Sequence, residues 1–590
     1  TLGSAAAADD PGARYAKKTP TSTGFRGAVS SVDPEASKIG LKVLKRGGNA
    51  VDAAVATAAA LGVTEPYSAG IGGGGYFVYY DARTQKVRTI DGRETAPMSM
   101  PKDAFIDPDT KKPYPFTPDL VTSGVSVGVP GTLATWERAL QRWGTDDLRT
   151  ALEPAERLAA RGFKVDQTFH DQTKDNQERF EAYKTTPKLF LPGGKPPRVG
   201  SVFKNPDLAA TYRKIGRKGT DVFYRGKLGK AIVKAVRKPA TSNKTELPVP
   251  RGFMRRSDLR RYVALDQRPT KSRYRGHQVY GMAPSSSGGT TVGEALNIME
   301  RYDLAAMSPE QALHHYLEAT ALAFADRGKY LGDPAKVDVP VKKLLDDTFA
   351  SERACQIDPT QAMTKPAAPG DVRSYDGVCA TTSRTGDASA ADTENVETTN
   401  LTVTDKWGNV VEYTLTIEQT GGSGMLVKNR GFLLNNELTD FSTVFDKSDP
   451  NRIQPGKRPR SSMSPTIVLK KGKPVLALGS PGGSTIITTV TQMLFNYLDR
   501  GMSIEDAIAA PRASQRNTAA VSAEPAFIDA YGPQLAALGH TVNPAGDAFT
   551  SAAEIGAATA IEFGKRGKLT AVSEPSRRGG GSALVVAEKR

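Results

Sequence analysis

About two thirds of the way along the chain, sequence with no structural pattern gives way to strand sequence within a single residue, and this edge narrows the possible folds most. From Gln361 to Glu397 the chain is mostly Ala, Pro, Thr, Ser, Gly and Asp with little apolar periodicity, the composition of a flexible, accessible segment. Immediately after it, Asn400 to Asp405 (NLTVTD) and Val410 to Thr416 (VVEYTLT) flank a KWGN turn and read as a hairpin rich in β-branched residues. A hydroxyl residue, Thr398, therefore stands where mobile chain ends and sheet begins.

The flanking elements come in blocks rather than in strict alternation. Asp33-Pro34 starts a helix with Asp as N-cap, Gly47-Gly48 ends it, and Asn49 caps a second, Ala-rich helix to about Leu61. Ala69 to Asp81 reads as a glycine-rich turn into a strand, and Val87 to Pro97 as a strand and exit loop. From Gly124 to Thr348 the pattern is helical. Pro465 to Lys470 and Pro474 to Gly479 pair as strands, Ser484 to Gly501 and Ser503 to Ala510 are helices, and strands return near Thr559 to Phe563 and Ser582 to Val586. Order is expected from Gly24, after a disordered lead-in over 1–23. Blocks of this kind predict an α+β architecture with sheets layered between helices. At 590 residues the chain exceeds one ordinary core. No apolar run approaches the ~20 residues of a membrane-spanning helix.

Composition and motifs exclude several chemistries. The net charge of +16 raises nucleic acid as a partner, but the densest basic runs, Arg213 to Gly219 and Arg251 to Arg261, lack interleaved aromatics and read as solvated surface. The five histidines (170, 277, 314, 315 and 540) have no zinc-type spacing, so no metal is expected, and no G-x-S-x-G elbow accompanies them. A nucleophilic enzyme built from this chain needs a base other than histidine. Gly70 to Gly75 satisfies G-x-G-x-x-G, yet helix precedes it and strand follows, the reverse of a dinucleotide site; closely packed backbone explains these glycines better. Cys355 and Cys379 would form a bridge in an exported chain or remain as two free thiols. The small-residue start resembles a trimmed export signal and predicts a secreted, periplasmic or cell-surface protein.

Downstream of Thr398-Thr399 stand, in order, TIEQTGGSG (from Thr416), LLNNELTDFS (from Leu433), KRPRSSMSPTIV (from Lys457) and GSPGGS (from Gly479), with IGGGGYF and DGRETAP in the first hundred residues. Together these resemble the γ-glutamyltranspeptidases, from about Gly24 to the C-terminus. The resemblance implies a four-layer αββα sandwich of the N-terminal-nucleophile hydrolase type, with no cofactor. It also implies a precursor that cuts itself between Glu397 and Thr398 into a large (24–397) and a small (398–590) subunit, which stay associated as a heterodimer. The freed Thr398 α-amine, with an unperturbed pKa of ~7.7–8.0, would be the missing base. By motif position, Thr416 would hydrogen-bond the nucleophile's hydroxyl, and Gly482 and Gly483 would form the oxyanion hole. Arg93, Ser461 and Ser462 would hold the substrate's α-carboxylate. Glu418, Glu437 and Asp440 would surround its ammonium.

The implied reaction is transfer of the γ-glutamyl group of glutathione and related compounds to water, amino acids or short peptides. Two departures stand out: Asn400 occupies a position where many members carry histidine, and Glu418 one where many carry asparagine. The short span between Asp440 and Ser461 resembles members that lack a lid over the acyl pocket. The alternatives are an amidase of the same fold acting on β-lactam side chains or poly-γ-glutamate, and a non-enzymatic basic exported binding protein.

Overall fold

The computed structural model describes residues 18–379, 397–546 and 553–589. Thirteen strands among them join into one antiparallel system. In chain order they are β1 (Thr21–Ser31), β2 (Gly74–Asp81), β3 (Lys86–Asp91), β4 (Leu265–Gln267), β5 (Thr270–Tyr274), β6 (His277–Gly281), β7 (Thr399–Asp405), β8 (Val410–Thr416), β9 (Thr466–Lys470), β10 (Lys473–Gly479), β11 (Thr559–Phe563), β12 (Leu569–Ser573) and β13 (Ser582–Ala587). One sheet runs β4-β3-β2-β8-β7-β1, with β13 also on β1; the other runs β12-β11-β10-β9-β6-β5. β1 belongs to both. Thr21 to Gly24 pair with β12, and the register then shifts before Ala28 to Ser31 pair with β7 and β13. The shift sits at Arg26 and Gly27, which have φ of 67° and 130°; a bulge of this kind lets one strand turn from one sheet into another.

The two sheets face each other through β8 against β10 and β7 against β11. Helices α1 (Pro34–Lys45) and α2 (Ala50–Thr64) cover the first sheet. Helices α3 (Gly288–Met299), α4 (Pro309–Tyr330) and α5 (Thr485–Leu498) cover the second. The result is the four-layer α+β sandwich. Asp33 accepts the Ala36 N–H at 2.8 Å with Pro34 in the first turn, and Asn49 and Asp52 close a capping box, as the sequence predicts. Every residue of α2 is buried, so its alanines serve close packing on all sides rather than one amphipathic stripe.

Between the sheets, Tyr76, Val78 and Tyr80 pack with Leu476 and Leu478. A polar group lies in the same layer. Asn400 donates to Glu412 and to Thr559 Oγ1 (2.8 Å) and accepts from Thr414 Oγ1 (2.6 Å). Burial raises the Glu412 pKa well above the usual carboxylate range, so it is held neutral and costs the interior no charge.

Some expectations needed adjusting. β1 starts at Thr21, ahead of Gly24, and residues 1–17 of the lead-in lie outside the described residues. β4 to β6 lie inside the stretch read as helical; they are short, and β5 alternates exposed and buried residues, too few for a clear period of two. Of the segment read as flexible, 380–396 lie outside the described residues, while 361–379 are anchored. Lys365 pairs with buried Glu318, Asn517 bonds both the N–H and the carbonyl of Ala367, and Cys379 is disulfide-bonded to Cys355. No helix among the described residues is long and apolar enough to cross a membrane.

Candidate active site

The site forms where β7 and β8 begin and end side by side. Thr398 precedes β7, and Thr416 is the last residue of β8. The glycine-rich turn fixes this edge. A Cβ on Gly73 would lie 2.0 Å from the Thr416 carbonyl oxygen, and one on Gly72 1.9 Å from that of Leu433. Close backbone approach is therefore what these glycines permit. Through it the turn holds the end of β8 against the Leu433–Asp440 segment.

Thr398 Oγ1 lies 2.5 Å from the Glu397 carbonyl oxygen and 3.3 Å from Thr416 Oγ1. Thr416 Oγ1 in turn donates to the Glu397 carbonyl (3.0 Å) and accepts the Glu418 N–H (2.8 Å). Glu418 has φ of 79°, a left-handed conformation that costs a glutamate free energy and that the surrounding packing must sustain.

Glu397, Thr398, Thr416 and Glu418 line a small cavity together with Arg93, Glu437 and Asp440. Ser461 and Gly483 complete its wall, with Met463 and Ile486 as apolar surface that the motifs did not single out. Arg93 is almost fully buried; its guanidinium donates to Glu437, Asp440 and the carbonyls of Pro459 (3.2 Å) and Arg460 (2.9 Å). Burial alone would lower its pKa, but Glu437 and then Asp440 raise it well above the ordinary value. The residues expected to grip opposite ends of an α-amino acid thus hold each other here. Next to them, burial and then Glu437 push the Glu94 carboxyl well above its usual range, which keeps it protonated beside Glu437.

Ser461 and Ser462 have different surroundings. Ser461 faces the cavity, whereas Ser462 Oγ receives Arg327 Nη2 at 2.9 Å, and the same guanidinium donates to Ser287 Oγ. Gly482 and Gly483, with φ of 140° and 54°, precede α5, and neither N–H has a protein acceptor among the described residues. Asn400 points away from the cavity into the layer between the sheets, which explains why a residue without a titratable ring serves there. Sequence reading also missed the groups around the Glu397 side chain. Ser68 Oγ donates to it at 2.8 Å, Gln172 Nε2 at 3.4 Å, and Arg578 lies 3.5 Å away while also donating to the Thr398 carbonyl. Each is an unremarkable residue far from Glu397 in sequence, so no local signal marks it. No cluster of metal-ligating side chains occurs among the described residues.

A fold of two facing antiparallel sheets with a threonine hydroxyl at the head of a central strand defines the N-terminal-nucleophile hydrolase class. In agreement, cephalosporin acylase from Bacillus halodurans superposes with a TM-score of 0.82, at 29% identity over 98% of both chains. The γ-glutamyltranspeptidase family model matches residues 36–584. Glutathione hydrolase proenzyme of Bacillus subtilis is 37% identical over 99% of this chain and 96% of its own length. Acylase ACY 1 proenzyme of a Pseudomonas species is 34% identical over 94% and 92%. The chain belongs to the γ-glutamyltranspeptidase family.

Proposed function

We propose that the chain is a glutathione hydrolase and γ-glutamyltransferase that matures by cutting itself at Glu397-Thr398. The observation that carries this reading is that one small cavity collects a hydroxyl nucleophile, an arginine and, besides Glu397, three carboxylates. Thr398 Oγ1 adds to the Glu397 carbonyl carbon, and the C–N bond breaks to leave an ester and a free α-amine. Water then opens the ester and releases Glu397 as a carboxylate. In the matured enzyme the Thr398 amine takes the proton from its own hydroxyl as that oxygen attacks the γ-carbonyl of the donor. Gly482 and Gly483 N–H groups stabilise the oxyanion, and Thr416 orients the nucleophile. The departing amine takes the proton back, and water or an acceptor amine resolves the γ-glutamyl ester.

An α-amino acid head group suits the acidic cavity. Its carboxylate takes over guanidinium N–H groups of Arg93 and the Ser461 hydroxyl, while its ammonium meets the carboxylates of Glu437 and Asp440 that the arginine releases. The head group carries one charge of each sign, so every charged group keeps a partner and no net charge is added to a buried site. A glutaryl group, one donor for the alternative amidase of β-lactam side chains, has no ammonium to offer them. The two-subunit organisation rests on the proenzyme names of the relatives, and the Cys355–Cys379 bridge supports an oxidising, extracytoplasmic location. Purified protein should run as two bands on a denaturing gel and release p-nitroaniline from γ-glutamyl-p-nitroanilide. A single band without release, or turnover confined to a glutaryl β-lactam, would overturn the reading.

A further inference from the structure

Two separate stretches of chain meet at the acid-and-arginine end of the cavity. The Glu437–Asp440 turn carries the carboxylates that face an ammonium, and residues 459–462 carry Ser461 on the carboxylate side. Among the described residues no backbone hydrogen bond runs directly between the two. Arg93 spans them, donating to Asp440 on one side and to the carbonyls of Pro459 and Arg460 on the other. A bound head group takes Asp440 away from that guanidinium. The spacing between the two ends of the head group then needs a tie that substrate does not consume.

Asn451 stands between the same two stretches and is 3% exposed. Its Nδ2 donates to the Asp440 carbonyl at 2.6 Å, and its Oδ1 accepts the Arg460 N–H at 2.9 Å. The reversed amide would set N–H against N–H and oxygen against oxygen, so one orientation alone serves. The Asn451 backbone is fixed as well: its N–H donates to Asp449 Oδ1 at 2.7 Å, and its carbonyl accepts the Ser442 N–H at 3.3 Å. Lys457, buried in the motif that also carries Ser461, donates through Nζ to the carbonyls of Pro450 (2.5 Å) and Arg452 (3.0 Å), one on each side of Asn451. Neither Asn451 nor Lys457 lines the cavity. We propose that Asn451, held in place by Lys457, is a positioning residue for the donor: it fixes the distance between Asp440 and the Arg460-Ser461 backbone, and so favours substrates that carry an ammonium and a carboxylate on one carbon. This rests on the γ-glutamyl-transfer reading above. Removing the amide strips a buried carbonyl and a buried N–H of their partner together, the costly way to lose a hydrogen bond.

The test uses matured, two-band enzyme and measures L-glutamate and glutarate, which lacks the ammonium, as competitive inhibitors of p-nitroaniline release from γ-glutamyl-p-nitroanilide. Asn451→Ala removes both contacts, whereas Asn451→Asp keeps the size and turns a carboxylate oxygen on the Asp440 carbonyl. Each variant should raise the Ki of L-glutamate by ~10-fold or more, the range of a buried polar group left unpaired, and raise that of glutarate less. The kcat should fall by less than ~3-fold, because Thr398 and Thr416 at the ends of β7 and β8 carry the chemistry. A role in stability alone would lower the unfolding midpoint in urea and the fraction of active enzyme without separating the two inhibitors. An unchanged Ki for L-glutamate, equal weakening of both inhibitors, or a loss in kcat larger than the rise in Ki overturns the assignment. If neither Asn451 variant matures, Lys457→Met decides, since it keeps the amide but loses both carbonyl contacts: it should weaken L-glutamate more than glutarate, and an unchanged Ki overturns the proposal. Absence of p-nitroaniline release by the wild-type enzyme would instead sink the function itself.

Discussion

Thr398 is asked to supply a nucleophile twice and a base once, and these roles separate under substitution. Thr398→Ala has no hydroxyl, so it should remain a single full-length chain and release no p-nitroaniline; maturation in this variant would mean that another residue attacks. Thr398→Ser keeps the hydroxyl but loses the methyl that restricts χ1, so it should still cut, more slowly. Arg93 tests binding rather than chemistry. Lysine keeps the charge but loses the fork that meets Glu437, Asp440 and two carbonyls. Arg93→Lys should raise the donor KM by ~10–100-fold, the equivalent of one or two charge-assisted hydrogen bonds, with a smaller effect on kcat. These residues were legible because each stands at a marked place in the sequence, Arg93 in a motif and Thr398 at the head of a strand, and the structure brings both to one cavity. Ser68, Gln172 and Arg578 were not, because they become a set only when three distant segments converge on Glu397.

Among elements, hairpins and capped helices could be read from local signals, whereas the joining of the sheets could not. β7 with β8 and β9 with β10 follow from β-branched runs around turns, and α1 and α2 from their caps. That β1 crosses from one sheet to the other depends on partners 370 or more residues away, Leu401 and Leu569 among them. The glycine-rich turn was read for its packing, and its energetic weight can be measured. Gly73→Ala places a methyl carbon where the Thr416 carbonyl oxygen already lies, 2.0 Å away. Backbone must move, and overpacking of this kind costs ~1–3 kcal/mol. Because the displaced strand end carries Thr416, the variant should lose turnover beyond what its lowered unfolding midpoint in urea explains. Near-wild-type kcat with wild-type stability would show that the turn does not set the site.

Across the whole molecule, the parts before and after Thr398 meet in a buried histidine pair whose charge state links pH to their cohesion. His314 of α4 shares a hydrogen at 2.8 Å with His540, near the C-terminus, and bonds the Asp358 carbonyl through its other nitrogen. Glu318, paired with Lys365, lies 3.9 Å from His540. Burial, then Lys365 and His314, lowers the His540 pKa from 6.5 to about 3. As pH falls below 6.5 the unfolded chain therefore takes up a proton that the folded chain refuses. Stability contributed here is complete above pH 6.5 and is lost progressively down to about 3; at pH 5 the loss is ~2 kcal/mol. Asp33 acts in the opposite sense, since burial raises its carboxyl to about 6 and acid relieves a penalty, so one pH series on one protein would mix the two. Comparing His540→Gln with wild type, both in the uncut Thr398→Ala background to keep unfolding unimolecular, cancels Asp33. The wild type should lose ~2 kcal/mol more than the glutamine variant between pH 7 and pH 5 in urea unfolding. Equal losses would mean that the pair takes up its proton without unfolding and that the cohesion of the two parts does not depend on it.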